Sequence, residues 1–105
     1  GPALATDTNR ALAARLAANR AGAPARLPVV VAQGLGDFVV PAIATEQWVT
    51  AECAAGRAVE YWAFAGADHA GIVQPGSPLE SPLVDWTAAR LAGATTPADC
   101  RGRAF

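Results

Sequence analysis

The sequence predicts a mixed α/β fold with the element order α-β-α-β-α, built on a two-stranded parallel βαβ core. Three observations predict it. The run Leu27-Pro-Val-Val-Val-Ala-Gln33 is short, β-branched and without polar alternation, the pattern of a strand covered on both faces in a parallel sheet. A second run, Ala58-Val-Glu-Tyr-Trp-Ala-Phe64, has the aromatic and β-branched content of a strand. The segment between them has helical spacing, and two parallel strands joined by one helix make a right-handed unit.

The first element is a helix over Ala5–Arg20, with Thr6 or Asp7 able to cap its first N–H groups and Leu12 and Leu16 meeting one turn apart. Gly22 and Pro24 stop it. After the first strand, Gly34-Leu-Gly-Asp37 forms a tight turn, and Pro41 sits where a first helical turn tolerates a missing N–H. In the helix that follows, Ala44, Trp48, Ala51 and Ala55 fall on one face, and Gly56 is the expected residue just past its end. The second strand ends in Gly66-Ala-Asp-His-Ala-Gly71. Residues 72–82, with Pro75, Gly76, Pro78 and Pro82, read as a loop. Ser81-Pro82 then supplies an N-cap and first-turn pair for a last helix running to about Leu91, with Val84, Ala88 and Leu91 as its buried stripe. Gly93 and Pro97 end that helix, and the tail to Phe105 reads as irregular and tied down by Cys100.

Composition bounds the function classes. A chain of 105 residues has one core or part of one, and at 52 % hydrophobic and 16 % charged it folds. The formal charge of −1 and eight scattered arginines make no basic patch, which excludes nucleic acid as a partner. Arg, Pro or Gly interrupts every apolar stretch before the roughly 20 residues of a membrane span, so no transmembrane segment is expected. The start lacks a basic stretch followed by an apolar one, so a signal peptide, if the parent protein has one, lies outside residues 1–105. Cys53 and Cys100 lack metal or redox spacing and read as one disulfide, which would stabilise the fold by about 4 kcal/mol; two buried free thiols are the alternative.

In open α/β sheets functional groups gather beyond the carboxyl ends of the strands. Those ends hold Asp37 and Asp68-His69. An acid after one strand and a histidine after the next, on neighbouring parallel strands, can meet so that the carboxylate binds Nδ1–H and turns Nε2 toward a nucleophile. That is the acid-and-base half of a catalytic triad in the chain order Ser, Asp, His. Asp37 also fits a turn cap, His69 a surface histidine, and Asp68 a cap for its own turn. A metal site from Asp37, Asp68 and His69 lacks a second His or Cys in ligand spacing, and no cofactor is expected. Ser77 and Ser81 stand outside any G-x-S-x-G elbow, so the nucleophile is expected elsewhere. A two-stranded sheet leaves edges open, and residues 1–105 are accordingly expected to be the C-terminal segment of a larger domain whose upstream half carries the serine.

Between Asn19 and Cys100 the chain resembles the C-terminal part of the secretory lipases, a branch of the α/β-hydrolases. The likeness is carried by Pro28-Val-Val-Val-Ala-Gln-Gly34 leading to Asp37 and Val40-Pro41, then Cys53-Ala-Ala-Gly56, Val59-Glu-Tyr61, Gly66-Ala-Asp-His69, and Asp85-Trp86 with Arg90 and Gly93 before Cys100. The resemblance implies a partial α/β-hydrolase fold, Asp37 as triad acid, His69 as general base, and hydrolysis of carboxylic esters, typically acylglycerol lipids, by a secreted enzyme. Its partner would be the upstream half of the same hydrolase domain. A non-catalytic reading stands beside it, in which the βαβ unit is an interaction module docking through its open sheet edge.

Overall fold

The computed structural model describes residues 7–22, 27–95 and 100–105. Thr6, Pro24 and Pro97, which the sequence reading assigned to caps and stops, lie outside them. The chain is mixed α/β: α1 (Asp7–Ala18), β1 (Val29–Gly34), α2 (Ala42–Ala54), β2 (Val59–Phe64), a single 3₁₀ turn (Gly71–Val73), α3 (Glu80–Leu91) and β3 (Gly102–Ala104).

Alternation along β1 and β2 sets up two apolar layers, because successive side chains leave a strand on opposite faces. The parallel register pairs Val29 with Val59 and Val31 with Tyr61; these join Val49, Trp48 and Cys53 of α2 on one face. Ala32 opposite Trp62 and Gly34 opposite Phe64 lie on the other parity, where Val30, Ala32, Trp62 and Phe64 meet Ala67, Ile72, Leu79, Leu83 and Trp86. The strands are thus covered on both sides, as the apolar run Val29–Ala32 of β1 requires. Val59, Trp62 and Phe64 are fully buried.

Three expectations are corrected. The core is not two-stranded: β3 lies parallel to β2, with Tyr61 opposite Gly102 and Ala63 opposite Ala104, giving the order β1-β2-β3. The tail is held there by the Cys53–Cys100 disulfide and by Phe105, whose ring stacks on Phe64 with centroids 4.4 Å apart. Second, the predicted α2 stripe meets the sheet at Trp48 alone, and the predicted α3 stripe is out of phase. Val49 is the buried residue of α2, while Ala44, Ala51 and Ala55 are exposed. In α3, Leu83 and Trp86 turn inward onto the Phe64 and Ile72 cluster, leaving Val84 63 % and Leu91 85 % exposed. In α3 the bulkier Leu83 and Trp86 claim the sheet in place of Val84 and Ala88. Third, α3 begins at Glu80, with Leu79 as N-cap and no side-chain cap, so Ser81-Pro82 sits inside the first turn.

Two glycines fall where the close of a helix needs a left-handed residue: Gly56 (φ 81°) after α2 and Gly93 (φ 86°) after α3. Among the described residues, β1 has a strand on one side alone. No helix among them is long and apolar enough to cross a membrane.

Candidate functional site

The site is assembled by two turns that leave neighbouring strands at the same end. The turn after β1 folds back through Asp37 N–H donating to the Gly34 carbonyl at 3.2 Å, and Leu35 N–H donates across to the Phe64 carbonyl at 2.9 Å. Gly36 N–H then donates to the Ala67 carbonyl of the second turn, also at 2.9 Å. This approach is so close that a Cβ on Gly34 would lie 2.5 Å from the Ala67 oxygen, inside any permitted contact. Glycine at position 34 is therefore what lets the two turns meet.

That meeting brings Asp37 and His69 together: Asp37 Oδ2 lies 2.9 Å from His69 Nδ1. The other carboxylate oxygen, Oδ1, accepts the backbone N–H groups of Val39 and Val40, each at 2.8 Å. Burial pushes the Asp37 carboxyl up, but the Val40 N–H, the His69 ring and the Val39 N–H together outweigh it and hold the group below the ordinary aspartate value of 3.8. Asp37 is thus an ionised acceptor on both oxygens, and His69 is left to donate from Nδ1. Nε2 lies on the other side of the ring and has no partner among the described residues. The carboxylate is sheltered, its side chain 8 % exposed, while the imidazole is 52 % exposed.

Asp68, the other acid in this turn, is turned to a different task. Its Oδ1 accepts the Gly71 N–H at 2.7 Å and its carbonyl accepts the Ile72 N–H at 3.3 Å, so it caps the 3₁₀ turn after His69. Ser77 is engaged in its own loop, with Oγ donating to the Ile72 carbonyl at 2.6 Å and accepting the Leu79 N–H. Ser81 lies exposed on α3. No group of three His, Cys, Asp or Glu side chains among the described residues is arranged to hold a metal ion. An open cleft lined by Gly36, Gly66, Ala67, Asp68, Gly71 and Gln74 lies beside the pair without including either residue.

What such an arrangement does chemically is narrow. A carboxylate fixed by two backbone donors holds the imidazole in one tautomer and supports positive charge on it, leaving the distal nitrogen free to accept a proton. Comparison with protein-family models, curated proteins and solved structures finds no match. The functional reading therefore rests on this geometry and on the motifs. Sequence reasoning did not find Gln33, which reaches the Asp37 loop from inside the fold. Its one visible trace is an amide closing an otherwise apolar strand.

Proposed function

We propose that this chain is the acid-and-base portion of a serine carboxylic ester hydrolase of the α/β-hydrolase fold, resembling the secretory lipases in its motifs. The observation that carries the reading is the 2.9 Å contact between Asp37 and His69 from the ends of adjacent parallel strands. The serine and the oxyanion donors belong to an upstream half of the same domain. In the reaction, His69 Nε2 takes the serine Oγ proton as the oxygen attacks the ester carbonyl. It then returns that proton to the departing alcohol oxygen as the tetrahedral adduct collapses, and a water repeats the sequence to free the acid. Asp37 stays ionised and stabilises the imidazolium. The substrate class is carboxylic esters, acylglycerols among them, and the Cys53–Cys100 disulfide supports an extracellular setting.

Mixing the chain with a polypeptide that supplies the upstream half, then assaying a short-chain chromogenic ester, tests the reading. Hydrolysis by the complex and none by the isolated chain is the expected result. The second reading, a non-catalytic module, draws on the edge of β1 that is unpaired among the described residues and on Phe38, 97 % exposed beside the site. A well-folded complex without activity would favour it.

A further inference from the structure

Gln33 is the buried polar residue among the described residues, 4 % exposed, and both ends of its carboxamide are hydrogen-bonded. Nε2 donates to the Gly34 carbonyl and to the Val40 carbonyl, each at 2.9 Å. Oε1 accepts the hydroxyl of Thr45 on α2. Two carbonyl acceptors on one end and a hydroxyl on the other fix which way the amide points.

A leucine would fill this space without needing partners, so core packing alone does not call for an amide here. What the amide adds is a grip on the segment carrying the acid. Phe38, Val39 and Val40 are 97 %, 69 % and 41 % exposed, so little packing holds them. Yet the N–H groups of Val39 and Val40 are what fix Asp37 Oδ1. The Gln33 bond to the Val40 carbonyl is their anchor to the interior. Through Gly34 and Thr45 the same amide ties that anchor to the end of β1 and the first turns of α2.

We infer that Gln33 is a positioning residue for the site: its carboxamide holds the Asp37–Val40 segment so that Asp37 Oδ2 faces His69 Nδ1. The inference rests on the proposed reading of Asp37 and His69 as a working pair.

His69 is the sole histidine, so NMR of the full chain with ¹⁵N-labelled histidine reports the pair without ambiguity. In the wild type a slowly exchanging Nδ1–H is expected, with nitrogen shifts of the Nδ1-protonated ring. In Gln33→Leu that exchange should quicken by about tenfold or more, the scale of one lost hydrogen bond. The ring should relax to a mixture of tautomers, and the Asp37 carboxyl should titrate nearer the ordinary 3.8. Val49→Ala, which opens a cavity under α2, should lower the thermal midpoint and leave these signals alone. Should Gln33→Leu not fold, Thr45→Val reads the same quantity with a smaller change in the same direction. Wild-type exchange in a folded Gln33→Leu, or in Thr45→Val if that variant must stand in, would overturn this inference alone. Absence of the Nδ1–H in the wild type would overturn both it and the functional reading.

Discussion

Asp37 reaches His69 with one carboxylate oxygen while two consecutive backbone N–H groups, from Val39 and Val40, hold the other. The pair is therefore polarised from behind. Replacing that carboxylate by an amide keeps the shape and inverts the chemistry. With Oδ1 still on the two N–H groups, Asp37→Asn presents an N–H to His69 Nδ1, which must then accept, moving the ring proton to Nε2. That nitrogen can no longer take a proton from a serine. In the complex with the upstream half, kcat should fall on the order of 10⁴-fold, with the fold preserved by circular dichroism.

The same carboxylate makes stability depend on pH. Its folded value lies below the ordinary 3.8, so the native state binds protons less readily than the unfolded chain there. The contribution is fully present above the ordinary value and is lost as pH falls through the depressed one. The difference in denaturant midpoint between wild type and Asp37→Asn should be constant from neutral pH down to about 5 and shrink steadily below about 4.

Much of this site was legible in the residues, because Gly34-Leu-Gly-Asp37 and Gly66-Ala-Asp-His69 follow unmistakable strands and parallel strands deliver their ends to one rim. The rest depends on tertiary contact. Gly102–Ala104 is too short and too charged to read as a strand, and is one because Cys100 and Phe105 fix both its ends. Of the predicted α2 stripe Trp48 turns inward and the alanines do not, while in α3 Leu83 and Trp86 occupy the inner face expected of Val84 and Leu91, because neither helix carries a strong stripe. Gln33 shows only as an amide closing an apolar strand, since its partners Val40 and Thr45 are brought to it by folding.

Reduction of the Cys53–Cys100 bridge should release β3. The bridge closes a loop of 47 residues, for which chain entropy gives a stabilisation of about 4 kcal/mol. Cys100→Ser should lower the unfolding free energy by roughly that amount. Hydrogen exchange should quicken at Tyr61 and Ala65, whose N–H groups donate to Arg101 and Phe105. Unchanged protection at both would mean that β3 stays without the bridge.

The two turns leave no room for a side chain at position 34. Gly34→Ala sets a Cβ 2.5 Å from the Ala67 oxygen, and the strain should cost about 1–3 kcal/mol while prising the Asp37 turn from the His69 turn. Gly66→Ala is the control, because a Cβ there meets nothing within 4 Å. Thermal unfolding of the two variants should separate them clearly.

The central claim is that His69 Nε2 activates a serine supplied by the other half of the domain. It is tested most directly by the rate at which a fluorophosphonate labels that serine in the assembled complex. Wild-type complex should be labelled rapidly on the upstream half, and His69→Ala should slow labelling by about 10²-fold or more. Equal labelling rates for the two complexes would contradict the account.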